Sequence, residues 1–488
     1  MIFRSSLLIC CNTILLIVTL QFSSKAQLYV PSGLALNVSG SIQVSSGLDV
    51  INEGVINVDS GSLYLEKNLS GTGAMNASQG TIIFKGSTNQ SVSFGASTYL
   101  KNITIQNSGG KVIFSNNIPV LTGTLKLVSG KAEIGNNNLV TEGLEGGSYA
   151  SYIQTSGTGY FGRRLYTGLN VFYPVGNSAY NPVYVKTDRV NVVNELYRVR
   201  VLDEVYDNGM SGSVISRPRV KRTWDLQSEN VNRKDSLDLY FSWNQDDRIG
   251  AFSVSSFFAF SDAYWRQQNG ATNRTTNALQ YNDYIGKLLP FSIQNQYQSI
   301  IGLKLYLQGL YMGAGLMQPA LMNWGMPGAT ATQADSITLE VRDPGEGAIV
   351  GSPIKIVLNT SGNSQISVPG LAGPYYLAVK HPNSLETWSA SPVILGDSVF
   401  YDFSTAANKA YGDNQVQIDA GKYAIWSGDI NADGMIETSD YLSMENDVLS
   451  ILFGYYPSDL TGDAVVETAD YLLMENNILQ IPFAVLPF

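Results

Sequence analysis

Near its C-terminal end the chain repeats one phrase: residues 437–449 read ETSDYLSMENDVL, and residues 467–479 read ETADYLLMENNIL. The two copies begin 30 residues apart (467 − 437 = 30), with no gap between their registers. An acidic segment precedes each copy, DINADG at 429–434 and DLTGDA at 459–464. A repeat of this length in register indicates a duplicated structural unit.

Oxygen-bearing side chains recur within each acidic segment and the start of the phrase that follows. Counted from the first Asp, they occupy loop positions 1, 3, 5, 9 and 12, and position 7 would add a backbone carbonyl. Calcium takes six to eight hard oxygen ligands, and this spacing in a tight loop directs them inward. The predicted ligands are Asp429, Asn431, Asp433, Met435, Glu437 and Asp440 in the first loop, and Asp459, Thr461, Asp463, Val465, Glu467 and Asp470 in the second. A helix is expected to begin near each position-12 carboxylate.

The general helix–loop–helix calcium pattern ends in Glu at position 12, whereas both loops here end in Asp. With one helix after each loop and a 30-residue spacing, residues 428–480 resemble a type I dockerin. The resemblance implies two calcium ions and docking onto a cohesin-like or other surface protein. It places the partner-binding pairs at loop positions 10 and 11, which are Thr438 with Ser439 and Thr468 with Ala469.

The two loops differ at position 6, where the backbone needs a positive φ. Gly434 occupies this position in the first loop and Ala464 in the second. A side chain in that conformation costs about 1 kcal/mol. We therefore expect the second loop to bind calcium more weakly.

The N-terminal segment has the pattern of a signal peptide. Residues 1–4 include one positive charge, residues 7–20 are almost wholly apolar, and Ser24-Lys25-Ala26 has the small-x-small form of a cleavage site. Residues 1–26 are therefore predicted to be removed, which leaves a secreted or cell-surface protein with no membrane span. The only two cysteines, Cys10 and Cys11, lie in this segment, so the mature chain would form no disulfides.

Composition restricts the partners. The formal net charge is −10, which disfavours nucleic acid and anionic membrane surfaces as partners. Only 14 % of the residues are charged, while Gly and Tyr are abundant. This composition is typical of β-rich extracellular proteins.

The predicted fold is mainly β and has four modules after the signal peptide. Residues 27–147 alternate short β runs with Gly, Asn and Ser turns, as at 81–84 and 103–105, which favours β-helix-like strand repeats. Within them, the stretch Gly80 to Leu139 resembles the strand-repeat regions of secreted bacterial surface proteins. A sandwich is the alternative, because the period is irregular. Longer alternating strands predict a β-sandwich-like region at 148–303 and an immunoglobulin-like β module at 304–427. Residues 428–488 are predicted to form the small α-helical, dockerin-like calcium module.

Most familiar catalytic chemistry is excluded by residue types. His381 is the only histidine, the mature chain has no cysteine, and no Gly-x-Ser-x-Gly motif is present. We interpret His381 as a structural turn residue and Asp246 with Asp247 as a solvated turn. Three tryptophans could form a sugar-stacking platform, but we expect them to be buried in the hydrophobic core. They are Trp224, Trp243 and Trp265. No catalytic residues are predicted.

The sequence therefore predicts a secreted, non-catalytic modular protein whose C-terminal module binds two calcium ions and mediates attachment. The alternative is an extracellular polysaccharide-degrading enzyme that carries a dockerin, because two carboxylates distant in sequence can meet in a fold. A polysaccharide is then a second candidate partner. A third alternative is that the calcium module only caps the preceding β module.

Overall fold

The computed structural model describes residues 27–40, 43–116, 118–187, 193–232, 236–252, 255–268, 270, 272–296 and 298–488. The signal peptide predicted at residues 1–26, with Cys10 and Cys11, lies outside the described residues. The fold is mainly β, as predicted. Contacts divide the chain into two compact units, one formed by the described residues up to Phe260 with Gln268–Asn295, and the other by Ser261–Gln267 with Gln296–Phe488. The predicted boundaries at 147 and 427 lie inside these units.

The first unit begins as a parallel β-solenoid of about seven turns, which confirms the strand-repeat prediction. The solenoid strands are β1 (Gln27–Val30), β2 (Ala35–Val38), β3 (Gln43–Ser46), β4 (Asp49–Asn52), β5 (Val55–Val58), β6 (Ser62–Leu65), β7 (Leu69–Ser70), β8 (Ala74–Phe84), β9 (Gln90–Val92), β10 (Tyr99–Phe114), β11 (Leu121–Glu133), β12 (Leu139–Gly146), β13 (Ile153–Gln154), β14 (Phe161–Tyr166) and β16 (Val175–Gly176); β15 (Val171–Tyr173) lies between the last two in the chain but belongs to another sheet. Most of these strands are short because Gly, Asn and Ser interrupt the apolar runs, whereas β8, β10 and β11 continue for 11, 16 and 13 residues.

Inward-facing residues stack from turn to turn and form the core of the solenoid. One column runs through fully buried Leu63, Ile82, Ile103 and Leu125, each paired in register with the next. The separation of paired residues varies from 19 (Val50 to Leu69) to 23 (Leu69 to Val92). This variation is the irregular period seen in the sequence, and the turns absorb it.

Outward-facing amides bridge the same turns. Asn57 donates to Asn37 (2.7 Å), and Asn76 donates to Asn57 (3.1 Å). Parallel pairing continues from β11 to β13 and from β13 to β16. The solenoid therefore extends to Gly176, past residue 147.

Antiparallel strands follow, with β18 and β21 extending the solenoid sheet and a separate five-stranded sheet running β15–β17–β22–β27–β26. The two sheets pack through aromatic side chains, with the rings of Trp224 and Phe241 5.2 Å apart. The strands, in chain order, are β17 (Val183–Thr187), β18 (Val193–Leu202), β19 (Tyr206–Asn208), β20 (Ser211–Val214), β21 (Arg219–Ser228), β22 (Leu237–Ser242), β23 (Arg248–Ile249), β24 (Ser255–Ser261), β25 (Tyr264–Gln267), which belongs to the second unit, β26 (Thr272–Thr275), β27 (Ala278–Tyr284) and β28 (Pro290–Asn295).

The burial of side chains tests two predictions, one for the three tryptophans and one for Asp247. Trp224, Trp243 and Trp265 are at most 5 % exposed, which confirms that they belong to the core. The interpretation of Asp247 as part of a solvated turn is wrong: its carboxylate is buried and accepts a 2.6 Å hydrogen bond from Arg222. Asn181 donates to the same carboxylate and accepts from Arg222. A buried ion pair with these added hydrogen bonds keeps both charges satisfied.

The second unit encloses its own core between a three-stranded sheet, β34–β29–β38, and a larger group, β33–β32–β35–β36 with β37 on β35. Leu303, Leu339 and Phe403 are fully buried within it. The elements are β29 (Gln298–Lys304), β30 (Tyr311–Gly313), β31 (Leu316–Met317), α1 (Ala320–Asn323), β32 (Gln333–Arg342), β33 (Ile354–Asn359), β34 (Asn363–Pro369), β35 (Gly373–His381), β36 (Ser384–Trp388), β37 (Val393–Leu395), β38 (Ser398–Asp402), β39 (Val416–Asp419), β40 (Lys422–Ala424), α2 (Thr438–Leu449) and α3 (Thr468–Ile478). Within the described ranges, no helix is long and apolar enough to cross a membrane.

Candidate calcium-binding site

The two acidic loops and their helices are related by the 30-residue repeat in three dimensions. Each loop pairs with the segment that follows the helix of the other copy. Ile436 N–H donates to the carbonyl of Pro482, and Val466 N–H donates to that of Leu452, both at 2.9 Å. The rings of Tyr441 and Tyr471 lie 4.9 Å apart between α2 and α3. The repeat thus builds one closed module from two interlocked halves.

The position-12 carboxylates join the start of each loop to the start of its helix. Asp440 accepts from the backbone N–H of Ile430 (2.9 Å) and of Glu437 (3.0 Å). Asp470 accepts in the same way from Thr461 (2.8 Å) and Glu467 (2.9 Å). The helices begin at Thr438 and Thr468, two residues before these carboxylates, because each carboxylate accepts the free backbone N–H of the N-cap residue, Glu437 or Glu467.

The position-1 carboxylates organise the loop backbone. Asp429 accepts from the N–H groups of Asp433 (3.1 Å) and Gly434 (3.2 Å). Asp459 accepts from those of Gly462 (2.8 Å) and Ala464 (2.9 Å). Both loops therefore wrap around a buried carboxylate at the same position.

The four carboxylates at positions 1 and 12 are buried. Asp440, Asp459 and Asp470 are fully buried, and Asp429 is 4 % exposed. In the part of the chain that the structure describes, no Lys, Arg or His forms a salt bridge with any of the predicted loop ligands. Buried carboxylates normally pair with a cation or coordinate a metal.

The pKa values of Asp429, Asp459 and Asp470 reflect that environment. Burial, with the nearby charge of Asp440, raises the pKa of Asp429 to about 6. Burial also raises the pKa of Asp470 to about 6, and it raises that of Asp459. Each shift records the free-energy cost of holding a buried negative charge, which a bound cation would offset.

The remaining predicted ligands lie nearer the surface. Asp433 and Asp463 are exposed, and each accepts from the N–H two residues on, Met435 and Val465. Asn431 and Glu467 are also exposed, while Glu437 and Thr461 are half-buried. Among the described residues, no three His, Cys, Asp or Glu side chains form a group that could hold a metal ion. The donor chemistry fits calcium, with oxygen donors and uncompensated negative charge. The exposed side chains of Asn431, Asp433, Asp463 and Glu467 would have to turn inward.

Backbone strain does not separate the two loops. Ala464 has φ +77°, as the sequence suggested, but Ala432 in the first loop has φ +58°. Gly434 (φ +87°) and Gly462 (φ +71°) complete the pattern. Each loop therefore has two left-handed residues, one Gly and one Ala, so the cost expected for the second loop is matched in the first.

The predicted partner-binding residues stand at the start of the helices. Thr438, Thr468 and Ala469 are exposed, whereas Ser439 is half-buried and its hydroxyl donates to Glu437 (3.2 Å). Farther along, the repeat places leucines on the same exposed helix faces: Leu442 (53 % exposed), Leu449 (77 %), Leu472 (53 %) and Leu479 (83 %).

Several residues that contact the loops were not predicted. Trp324 donates to the carboxylate of Asp459 (2.6 Å), and Asn383 donates to the carbonyl of Pro457 (3.0 Å). Phe453 and Phe483 form matching β-bridges with Val465 and Met435. The last pair had a signal in the sequence, because Ile451-Leu-Phe453 returns 30 residues later as Ile481-Pro-Phe483.

His381 lies at the end of β35, and its ring nitrogens bond to two side chains. Nε2 lies 2.8 Å from Asp335 and Nδ1 lies 3.1 Å from the hydroxyl of Ser384. This arrangement contains the residue types of a hydrolase triad. Ser384 is only 4 % exposed, however, and its hydroxyl also faces Ser427 at 3.5 Å. A nucleophile must reach its substrate, so this contact network is structural.

No family model, curated protein or solved structure matches the chain. The functional assignment depends on the loops themselves.

Proposed function

We propose that this is a secreted, modular, non-catalytic protein whose C-terminal module binds two calcium ions and attaches the chain to another extracellular protein. The observation that carries the calcium assignment is the set of four buried carboxylates that pair with no Lys, Arg or His among the residues the structure describes. The oxygen pattern at positions 1, 3, 5, 9 and 12 occurs twice, and both loops have left-handed residues at positions 4 and 6. Two hard cations would neutralise the charge that burial makes costly.

The attachment role is supported by the exposed helix faces. Leucine side chains that are more than half exposed recur at equivalent places in the two copies, beside Thr438 and Thr468. Repeated exposed apolar residues in a polar surrounding favour protein binding. The partner proposed is a cohesin-like or other surface protein.

Calcium titration calorimetry on the full chain tests the first part. Wild-type protein should bind two ions per chain. Asp433→Ala and Asp463→Ala should each weaken one site by about tenfold or more, since even partners behind a ligand cost 10- to 100-fold. Glu445→Gln and Glu475→Gln remove the same charge from exposed helix positions outside the loops and should leave both sites intact. An absence of binding heat in the wild-type chain would refute the calcium assignment.

Attachment is tested separately with a purified cohesin domain. Binding should require calcium, and Leu449→Ser combined with Leu479→Ser should abolish it without changing the calcium isotherm. Release of reducing sugars from plant, algal or chitin polymers by the wild-type protein would instead favour the polysaccharide-degrading alternative. The same polymers, tested as ligands, would identify a carbohydrate partner.

A further inference from the structure

The second loop contacts the β core of its unit through side chains that the first loop does not meet. Asn323, at the end of α1, donates to the carbonyl of Gly462 (2.8 Å). The neighbouring Trp324 donates from its indole nitrogen to the carboxylate of Asp459 (2.6 Å). The corresponding carboxylate in the first loop, Asp429, accepts only from backbone N–H groups of its own loop among the hydrogen bonds that the described residues make.

Glycine positions show that this contact is closely fitted. A Cβ atom on Gly462 would lie 2.5 Å from a methyl carbon of Leu310 and 2.7 Å from the Cβ of Ala320. A Cβ on Gly309 would lie 2.1 Å from the carbonyl oxygen of Leu460. Neither position can accept a side chain without displacing its neighbour.

This fit also explains why the two loops exchange Gly and Ala between positions 4 and 6. Position 4 is Ala432 in the first loop, where the residue is exposed, and Gly462 in the second, where it is buried. Position 6 reverses the order, with Gly434 and Ala464. The second loop carries its glycine where α1 and Leu310 approach its backbone.

Trp324 is itself held in place. Its ring lies against Tyr455 in an edge-to-face contact with ring centroids 4.7 Å apart. The indole N–H therefore points at Asp459 from a fixed ring. A hydrogen bond from a held donor fixes the orientation of a carboxylate that also organises the loop backbone.

We infer that Trp324 is a positioning residue for the second loop, which makes cation binding at Asp459 cooperative with the β core of the second unit. The first loop binds its ion without that coupling. The cooperativity with cation binding rests on the proposed calcium function. The hydrogen bond from Trp324 to Asp459 does not depend on the ion.

Trp324→Phe in the full chain tests the inference, because it removes the N–H and keeps an aromatic ring against Tyr455. In calcium calorimetry it should weaken one of two sites about tenfold. Combining it with Asp463→Ala should leave the other site at wild-type affinity. The control is Trp388→Phe, which removes an indole N–H that donates to Glu386 (2.6 Å), a carboxylate outside both loops. It should alter neither site.

A second measurement needs no calcium. A double-mutant cycle of Trp324→Phe and Asp459→Asn in chelator should show non-additive effects on the unfolding equilibrium, with a coupling of about fivefold or more. Additive effects would overturn the inference. So would wild-type-like binding at both sites in Trp324→Phe. The two residues could be coupled in chelator while the wild-type chain binds no calcium. That result would support the positioning role of Trp324 and refute the proposed calcium function.

Discussion

The two acidic loops have the same oxygen pattern and the same backbone signs, yet their surroundings differ. The first loop turns Asn431, Ala432 and Asp433 to solvent. In the second, Gly462 is buried against the β core and Asp459 accepts from Trp324. A duplicated unit can thus keep its ligand pattern in both copies while one copy becomes part of a neighbouring core. Equivalent substitutions in the two loops should distinguish the effects of the shared loop sequence, which are equal in both loops, from the effects of packing against the β core, which occur only in the second.

The largest difference is expected from adding a methyl group to each loop glycine. Gly462→Ala introduces a left-handed alanine and a clash with Leu310 and Ala320, so it should destabilise the second unit by about 3 kcal/mol. Gly434→Ala adds the same backbone strain, but its Cβ would lie 3.7 Å from the nearest atom, on Ala484. Its cost should be only about 1 to 2 kcal/mol. Urea unfolding in chelator measures both, and equal costs would show that the second loop is not closely packed.

An intermediate effect should come from pH in the absence of calcium. Asp429 and Asp470 have a folded-state pKa of about 6, above the value of about 4 expected in the unfolded chain. The folded state then binds these protons more tightly, so their stabilising contribution is complete below about pH 4 and is lost as pH rises through about 6. Each carboxyl contributes at most about 1.4 kcal/mol per pH unit.

Asn substitutions divide this pH dependence between the loops. Asp429→Asn should remove the part of the slope that belongs to the first loop, as measured by urea unfolding in chelator between about pH 4 and about pH 7. Glu445→Gln, on an exposed helix position, should leave the slope unchanged. A stability that rises over this window because of Asp429 would contradict the assignment of buried, unneutralised carboxylates.

The smallest effect should come from relieving the strained alanines. Ala432→Gly and Ala464→Gly each remove a strain of about 1 to 2 kcal/mol, less about 0.4 to 1 kcal/mol of added unfolded-state entropy. Each variant should therefore be more stable by roughly 0.5 kcal/mol, and the two gains should match. Thermal unfolding in chelator compares them. A gain confined to Ala464→Gly would restore the original expectation that only the second loop is strained.

The local features of the molecule were predictable from sequence, because they depend on residues close together in the chain. The apolar runs and their polar turns indicated the solenoid, although its extension to Gly176 was not foreseen. The helices begin within two residues of the predicted starts, since the carboxylates that cap them also belong to the repeated phrase.

Features that depend on distant partners could not be predicted. The position of Asp247 just after a strand predicts a solvated turn, yet Arg222 on another strand pairs with it in the interior. Trp324 lies 135 residues from Asp459, and no periodicity links the two positions. The equal strain of the loops depends on position 4, where an alanine in the sequence gives no sign of a left-handed backbone.

The interlocking of the two halves bears on how the module is made. The first loop begins at Asp429, but its β-bridge partner, Phe483, follows the second helix. During synthesis, the second loop can meet its partner segment as soon as residue 466 has emerged, because residues 452–454 precede it. The first loop must wait until residues 482–484 have been made. The first loop is therefore synthesised first but completed last. A chain cut between α3 and Phe483 would remove the partner segment of the first loop, although the second loop lies nearer to the cut in sequence.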